Sequence, residues 1–386
     1  MKTPYYIINK EELDANFELL KKALKKYWKN FIIGYSYKTN SLPWLIKQFD
    51  NKGCYAEVVS EDEYGLAQLV GVRNESIIYN GPIKTKNTFI EVLLNNGIVN
   101  IDSEREIQWL DELFIKDCNI GVRVNFDIEH FCPNQSQCGS EGGRFGFCYE
   151  NGELYKAIQL IQDKGFKIKG LHLHVSSKSR SINVYKTIAN MACKIAEEYG
   201  LTLSFVDIGG GFFGGLPGKP QFDDYLKEIS QILYKCFDVD KTALIVEPGM
   251  SLIGAPVSYV TTVIDVKDTI YNRFVVTDGT RTSIDPFMSK KSYFHRYKKT
   301  NAGRIFRKQV ICGYTCMEHD RLYEAIDEEE LLVGDKVIYD KVGAYTMCLT
   351  PLFIKYFPDV YVEENNELTL VRKAWTPKEY IENSLF

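Results

Sequence analysis

The chain lacks the long apolar segment that a membrane protein needs. Its 386 residues contain no run of about 18 apolar residues, which is the length of a membrane span. The short apolar patch at Tyr5–Ile8 leads at once into charged residues, unlike the core of a signal peptide. We therefore expect no membrane partner and a cytoplasmic protein.

An excess of positive charge is also missing. The chain has 47 Lys and Arg against 51 Asp and Glu, which gives a formal net charge of −4. Proteins that bind nucleic acid usually present a basic surface, so we expect no nucleic-acid partner. The chain is instead 45% hydrophobic, with 25 Tyr and 22 Phe. This composition indicates a large folded core rather than disorder.

The ten cysteines include no CxxC pair, and they are too few for a disulfide scaffold in a chain of this length. Cys132 and Cys138, with His130 nearby, could bind a metal ion. Zinc sites, however, usually have more closely spaced pairs and a second pair elsewhere. We favour reduced thiols and predict no metal site.

Strand-like apolar runs, such as residues 98–101 and 243–246, alternate with helical patterns, such as residues 103–114, over the first two thirds of the chain. About eight such units predict parallel βαβ connections and a closed (β/α)₈ barrel of the TIM type. After Gly254, strand-like segments such as residues 330–338 follow one another without long helices, which predicts an all-β domain, a sandwich or a barrel. We assign residues 25–258 to the barrel and residues 1–24 plus 259–386 to the β domain.

In a parallel barrel, functional side chains gather at the carboxyl ends of the strands. The polar residues predicted there are Lys38, Ser60, Asn80, Arg123, Asn125, His172, His174, Asp207 and Glu247. A buried lysine tends to lose its proton, and a neutral amine forms Schiff bases. Lys38 is thus either a reactive amine or one of many surface lysines.

Two more segments have both a functional and a structural interpretation. Gly209–Gly211 can close its main-chain N–H groups on a phosphate, or it is a simple turn. Glu247 can pair with a protonated ring nitrogen of a cofactor, or it is an exposed acid at a strand end.

His172 and His174 are expected to point to opposite faces of their strand, so that one enters the barrel mouth and the other packs in the core.

Taken in order, these segments resemble the fold-type III decarboxylases that use pyridoxal 5′-phosphate (PLP), the group of diaminopimelate and ornithine decarboxylases. The resemblance extends from Thr3-Pro4-Tyr5-Tyr6 to Phe353. In that family a Tyr-x-x-Lys-x-Asn segment contains the lysine that binds PLP as an internal aldimine. Tyr35–Asn40 fits this segment, which implies that the lysine is Lys38.

The resemblance also implies the other cofactor contacts. His174-Val175-Ser176-Ser177 is similar to the family's His-Val-Gly-Ser, so the histidine would stack on the PLP ring. Glu247 would hold the pyridine nitrogen, and the glycine loop, a serine and a tyrosine would surround the phosphate. The implied cofactor-binding residues are Lys38, His174, Ser177, Gly209, Gly210, Gly211, Glu247, Gly249 and Tyr345.

Cys312-Gly313-Tyr314-Thr315-Cys316 is similar to the family's Cys-Gly-Pro-Thr-Cys. This implies a homodimer with two shared active sites, in which Cys316 reaches into the site of the partner subunit and acts there together with Lys38. The implied substrate-binding positions are Arg123, Arg144, Asp285, Lys290, Met317 and Phe353.

The departures from the family pattern concern the substrate. Met250 replaces the arginine of Glu-Pro-Gly-Arg, and Ser176 replaces the glycine of His-Val-Gly-Ser. Asp285 stands where diaminopimelate decarboxylases have an arginine, and Met317 where they have an acid. Lys290 lies near the position of an acid in ornithine decarboxylases, where a cation would repel the ammonium of ornithine.

These departures predict a PLP-dependent decarboxylase for an amino acid other than free diaminopimelate or ornithine. The substrate would be a diamino acid or a carboxylate-bearing conjugate of one, such as a citrate conjugate in siderophore assembly. The cations of residues 281–299 would bind the added carboxylates, or they belong to a solvated loop. The alternatives are a PLP-dependent racemase or epimerase and a non-catalytic PLP-binding protein.

Overall fold

A computed structural model describes residues 1–300 and 302–385. The chain divides into two compact units. The barrel unit is Phe17–Ser251, and the sheet unit combines Met1–Asn16 with Leu252–Phe386. The domain boundaries predicted from the sequence stay a prediction. None of the described helices has the length and apolarity that a membrane crossing requires.

The elements are numbered along the chain. The strands are β1 (Tyr5–Asn9), β2 (Phe31–Ser36), β3 (Tyr55–Ser60), β4 (Ile77–Ile83), β5 (Ile98–Ile101), β6 (Asn119–Asn125), β7 (Phe147–Cys148), β8 (Gly170–His172), β9 (Phe205–Asp207), β10 (Ala243–Val246), β11 (Val257–Asp268), β12 (Arg273–Thr277), β13 (Phe294–Lys298), β14 (Ile305–Cys312), β15 (Arg321–Glu329), β16 (Lys336–Asp340), β17 (Asp359–Glu364) and β18 (Glu367–Arg372). The α-helices are α1 (Lys10–Tyr27), α2 (Pro43–Asn51), α3 (Glu61–Val70), α4 (Lys86–Leu94), α5 (Glu104–Trp109), α6 (Ile128–Phe131), α7 (Glu153–Asp163), α8 (Ile182–Glu198), α9 (Phe222–Leu233), α10 (Met250–Ile253) and α11 (Pro377–Ile381).

Eight parallel strands close the barrel in the order β2, β3, β4, β5, β6, β8, β9 and β10, and β10 pairs again with β2. Short β7 adds to β6 outside this ring. Every residue of β5 and β10 is buried, as expected for parallel strands covered on both faces. The predicted (β/α)₈ barrel is confirmed, and its closure brings the carboxyl ends of all eight strands to one rim.

The helices of the barrel unit form because their apolar residues recur at helical spacing. In α8 the buried residues include Val184, Ile188 and Ile195, while the side chain of Ser181 caps the helix by accepting the N–H of Val184. The predicted helix over residues 103–114 is shorter than expected. It ends at Trp109 and continues only as a 3₁₀ turn.

The sheet unit contains a nine-stranded mixed sheet. β1 lies inside it, antiparallel to β11 and parallel to β17. Tyr6 and Tyr259 pack with their ring centroids 4.6 Å apart, and the hydroxyl of Tyr6 donates to the carbonyl of Ser283 at 2.6 Å. The predicted separate all-β domain is confirmed.

One strand prediction in this unit is wrong. Residues 330–338 were expected to form a single strand, but β15 ends at Glu329 and β16 begins only at Lys336. Gly334 between them has a φ of +97°, which a strand cannot accommodate. The carboxylate of Asp335 then accepts the N–H of Leu332 at 2.9 Å and closes the turn.

Candidate active site

Three acidic side chains lie at the carboxyl ends of the barrel strands, where almost no solvent reaches them. Glu57 is in β3, Asp207 ends β9 and Glu247 follows β10. Their exposed fractions are 0%, 0% and 4%. Burial of an unpaired carboxylate is costly, so each acid needs a cation, a proton or hydrogen-bond donors beside it.

Lys38 provides the cation for one of these acids. It lies in the 3₁₀ turn Tyr37–Thr39 after β2, and its Nζ is 2.5 Å from Oε2 of Glu57. Tyr37 and Thr39 are buried and anchor the turn on both sides, whereas 38% of the Lys38 side chain is exposed. The amine is therefore held at the barrel rim and remains accessible to a ligand.

Two asparagines join the three acids into one network. Nδ2 of Asn80 donates to Oε1 of Glu57 at 3.0 Å and to Oε1 of Glu247 at 2.5 Å. Nδ2 of Asn100 donates to Oδ1 of Asn80 at 2.8 Å and lies 3.4 Å from Oδ2 of Asp207. Because both asparagines are buried, the strands that carry them fix the positions of the acids.

Asp207 and Glu247 differ in their protonation. Burial and the neighbouring Glu247 raise the pKa of Asp207 well above its ordinary value. Burial alone would also raise the pKa of Glu247, but its interactions with His172 and Lys38 lower the pKa below its ordinary value. At neutral pH the pair therefore consists of a neutral Asp207 and an ionised Glu247.

The two histidines do not point to opposite faces, and that prediction is wrong. Their ring centroids are 6.5 Å apart and the rings are 25° from parallel. Residues two apart along a strand project to the same side, and β8 already ends at His172. Burial and the charge of Arg123 lower the pKa of His174 to about 3, so its ring is neutral at physiological pH. Nδ1 of this ring accepts the N–H of Gly210 at 3.2 Å.

Gly209–Gly211 forms a tight loop after β9. Gly209 and Gly211 have φ values of +70° and +91°, which favour glycine. A Cβ on Gly210 would lie 2.0 Å from the carbonyl oxygen of Glu247, so this loop packs directly against the end of β10. The backbone beyond β10 is equally crowded, because a Cβ on Gly249 would lie 2.2 Å from Oγ1 of Thr39.

Arg123 and Arg144 form one wall of the barrel rim. Their guanidinium groups lie 4.8 Å and 4.2 Å from the ring centroid of Phe145. Arg123 is buried, and its Nη1 is 3.7 Å from Oδ2 of Asp102. Ser177 lies in the loop after β8, where its hydroxyl accepts the N–H of Arg180 at 2.9 Å. The structure thus places Arg123 within β6, Arg144 between β6 and β7, and Ser177 after β8.

Other predicted residues belong to the sheet unit. Asp285 is 2% exposed, and Oδ2 accepts hydrogen bonds from Arg281 Nη2 at 3.2 Å and from the hydroxyl of Tyr293 at 2.9 Å. Nζ of Lys290 donates to the carbonyl of Ile284 at 3.1 Å, and burial lowers the pKa of this lysine. Asp285 is therefore a buried acceptor rather than an open substrate contact.

Cys316 and Met317 lie in a loop that Asp320 organises. The buried carboxylate of Asp320 accepts the Thr315 hydroxyl at 2.6 Å and the N–H of Arg281 at 2.8 Å. Cys316 is exposed. This places the cysteine loop and the segment around Asp285 side by side within the sheet unit.

Tyr345 and Phe353 also lie in the sheet unit. Tyr345 adopts a left-handed φ of +61°, and its ring centroid is 6.2 Å from that of Phe287. Phe353 is 46% exposed.

The cysteines considered as metal ligands do not come together. Cys132 is buried with its Sγ 3.4 Å from Oγ1 of Thr187, while Cys138 is exposed. Across residues 1–300 and 302–385, the group with ligand spacing is instead His172, Asp207 and Glu247, whose atoms lie within 4.8 Å of one another.

Comparison with known proteins assigns the chain to a family. Residues 10–254 match the family described as "Pyridoxal-dependent decarboxylase, pyridoxal binding domain". The chain belongs to this family. It is therefore a fold-type III PLP-dependent amino-acid decarboxylase, a carboxy-lyase with PLP as cofactor. This assignment decides against the racemase and against the non-catalytic PLP-binding protein.

Individual relatives span nearly the whole chain. Diaminopimelate decarboxylase from Methanocaldococcus jannaschii is 27% identical over 89% of this chain and 82% of its own length. The crystal structure of diaminopimelate decarboxylase from M. jannaschii superposes with a TM-score of 0.88 at 24% identity, covering 100% of this chain and 93% of that one. L-glutamyl-[BtrI acyl-carrier protein] decarboxylase from Niallia circulans is 24% identical over 99% of this chain and 94% of its own length.

The residues at the barrel rim fit PLP. A partly exposed amine at Lys38 matches its aldehyde, an ionised and buried Glu247 matches a protonated ring nitrogen, and a neutral His174 suits stacking on an aromatic ring. The left-handed glycine loop matches a phosphate. The individual roles remain proposals.

The sequence interpretation did not assign a role to Glu57, Asn100, Asp102 or Asp320. Glu57 and Asn100 carried a usable signal, because each is a polar residue inside an otherwise apolar strand. Asp102 follows such a strand directly. Asp320 had no such signal, since its partners lie 5 and 39 residues away along the chain.

Proposed function

We propose that this enzyme removes the α-carboxylate of an amino acid other than free diaminopimelate or ornithine. The substrate is a diamino acid or a conjugate that carries additional carboxylates. The observation that supports this most directly is the state of Asp285. The resemblance places an arginine at this position in diaminopimelate decarboxylases. Here the side chain is an acid whose oxygens already accept hydrogen bonds from neighbouring residues.

Asp285 cannot replace that arginine as a partner for a distal carboxylate. Besides Arg281 and Tyr293, its oxygens accept the main-chain N–H groups of Ser289 at 3.1 Å and Lys290 at 3.0 Å. Two anions at this position would repel each other. The guanidinium of Arg281 is equally engaged, because its Nη2 also donates to the carbonyl of Met288 at 2.7 Å.

The structure also reduces the number of cations available for a substrate. Of the six cations in residues 281–299, three form ion pairs: Arg281 with Asp285, Arg296 with Asp340 and Lys299 with Glu329. Lys290, Lys291 and Lys298 form no ion pair within the described part of the chain. Lys290 is the one held in a partly desolvated position, where a cation attracts a carboxylate more strongly than in water.

The relative from Niallia circulans is named for a glutamyl group attached to an acyl-carrier protein. A substrate conjugated to another group is therefore within the range of proteins similar to this one. This supports a conjugate as the substrate here, in which Lys290 and Lys291 meet the added carboxylates.

The chain's own residues divide the chemistry among them. PLP, when bound, accepts the electrons that remain after CO₂ leaves. Lys38 would hold the cofactor, His174 would lie against its ring, and the ionised Glu247 would keep its ring nitrogen protonated. In a homodimer with shared sites, Cys316 gives a proton to the carbon that lost CO₂. Arg123 and Arg144 line the substrate side of the barrel rim.

A CO₂-release screen tests the substrate proposal. Free diaminopimelate, ornithine and lysine are compared with citrate conjugates of diamino acids, and Lys38→Ala serves as the inactive control. We expect a higher kcat/KM for a conjugate than for any free diamino acid. On that conjugate, Lys290→Met combined with Lys291→Met lowers kcat/KM about 10-fold or more, whereas Lys298→Met does not.

Two results would refute this proposal. One is a free diamino acid that exceeds every conjugate in kcat/KM. The other is a Lys290→Met/Lys291→Met enzyme that keeps the wild-type kcat/KM on the best conjugate.

A further inference from the structure

The barrel rim buries three acids, Glu57, Asp207 and Glu247, close to one another. The Lys38 ammonium is paired with Glu57. This leaves Asp207 and Glu247 side by side, both buried and with potential ligand atoms within 4.8 Å of each other. Two ionised carboxylates that close together in a buried site are strongly unfavourable, so the pair holds a proton.

The surroundings of the two acids differ in a way that assigns the proton. One carboxylate oxygen of Glu247 accepts a hydrogen bond from Nδ2 of Asn80 at 2.5 Å, and the other oxygen lies 3.4 Å from Nε2 of His172. Asp207 accepts the N–H of Gly209 at 2.9 Å on Oδ1, and its Oδ2 accepts only a long hydrogen bond from Nδ2 of Asn100, at 3.4 Å, within the part of the chain that the structure describes. The neighbouring side chains therefore stabilise a negative charge better on Glu247 than on Asp207.

We infer that Asp207 is a positioning residue that acts as a neutral hydrogen-bond donor to Glu247, keeping this carboxylate ionised and correctly oriented towards the cofactor's ring nitrogen. The pKa directions of the two acids agree with this assignment. The inference rests on the role proposed above for Glu247. It adds that an acid which does not touch the cofactor controls the charge of the acid that does.

Asparagine has the same shape as aspartate, so Asp207→Asn tests whether position 207 needs a neutral hydrogen-bond donor or an ionised acid. An asparagine keeps the acceptor for the N–H of Gly209 and presents an amide donor to Glu247, as the protonated Asp207 does. If Asp207 had to be ionised, asparagine would fail. If Asp207 only supported the glycine loop, any residue that preserves the fold would suffice.

The first experiment uses infrared difference spectroscopy on cofactor-free protein, wild type minus Asp207→Asn. At about pH 8 ordinary carboxyl groups are ionised, and we expect the wild type to show a protonated-carboxyl C=O band that is absent from the variant. This measurement does not depend on the role of Glu247. Absence of the band in the wild type would overturn the inference.

The second experiment compares Asp207→Asn with Asp207→Ala and Asp207→Ser in the PLP-loaded enzyme. Asparagine should keep kcat and the cofactor's absorbance spectrum close to wild type. Alanine should lower kcat about 10- to 100-fold and weaken PLP binding, because a hydrogen bond to a charged group is lost. Asp207→Ser is the second variant, used if Asp207→Ala does not fold, because its hydroxyl remains polar but is too short to replace the donor of Asp207. An asparagine variant as impaired as the alanine or serine variant, at an unchanged melting temperature, would overturn the inference; so would an alanine or serine variant with wild-type kcat.

Discussion

The amine of Lys38 lies 2.5 Å from Oε2 of Glu57, a glutamate without exposed surface. The amine must lose its proton before it can add to the aldehyde of PLP. A buried carboxylate at this distance stabilises the protonated amine. The ion pair with Glu57 therefore favours the protonated amine of Lys38 over the neutral, reactive amine.

Replacing Glu57 with glutamine removes this ion pair and should shift the pH profile of PLP capture by cofactor-free protein to lower pH. The glutamine can still accept the hydrogen bond from Asn80, so the network keeps its shape. Stopped-flow absorbance after mixing with PLP measures the rate at each pH. A variant with the wild-type profile would show that Glu57 has no influence on the amine.

Glu63 makes the stability of the barrel unit depend on pH. Burial, and then the neighbouring Glu57, raise the pKa of Glu63 to about 7 from an ordinary value of 4.5. The folded state holds this proton more tightly than the unfolded state. Protonation of Glu63 therefore stabilises the fold fully below pH 4.5, and this stabilisation is lost as the pH rises to about 7.

Glu63→Gln should therefore become more stable than the wild type over this interval, by about 2 kcal/mol at neutral pH. The glutamine oxygen can still accept the N–H of Val59. Urea unfolding of both proteins at several pH values checks the prediction. A stability difference that stays constant between pH 4.5 and 7 would contradict it.

Lys84 and Glu106 form an ion pair with no exposed surface on either side chain, 3.0 Å apart. Removing one partner leaves an unpaired buried charge, so Lys84→Met should cost about 3–5 kcal/mol of the free energy of unfolding. Adding Glu106→Leu should recover most of this loss. Lys86→Met is the matched control, because its pair with Glu112 is about half exposed and should contribute less than about 1 kcal/mol.

Denaturant unfolding, followed by circular dichroism, measures all four proteins. The expectation fails if Lys84→Met and Lys86→Met have the same small effect.

The proposed shared sites can be tested by mixing inactive subunits. Lys38→Ala removes the amine and Cys316→Ala the proton donor, so each variant alone should be nearly inactive. If Cys316 acts in the partner's site, a mixed dimer regains one intact site. Random reassociation then restores up to about a quarter of the wild-type activity. No recovery from a mixture that forms mixed dimers would place both residues in the same subunit's site.

The barrel was predictable because its strands are short apolar runs that end in turn residues. The predicted strands at residues 98–101 and 243–246 match β5 and β10 residue by residue. The sheet unit was harder to predict. In β13 the burial alternates between exposed and partly buried, and two of its five residues are charged, so no apolar run marks it.

The candidate site was also predictable only in part. Lys38, Asp207 and Glu247 were placed correctly because they lie at or just beyond the ends of strands, and parallel strands bring such residues to one rim. Their partners were not predictable, since the contact between Asn80 and Glu247 joins residues 167 positions apart. The ion pair between Arg296 and Asp340 likewise joins two paired strands, β13 and β16, that lie far apart in the sequence.

The most direct test of the central claim is to identify the lysine that binds PLP. The purified, PLP-loaded protein is reduced with borohydride, digested and analysed by mass spectrometry. We predict that the pyridoxyl group is on Lys38 and that Lys38→Ala carries none. A colourless protein, or a modified lysine other than Lys38, would contradict the account.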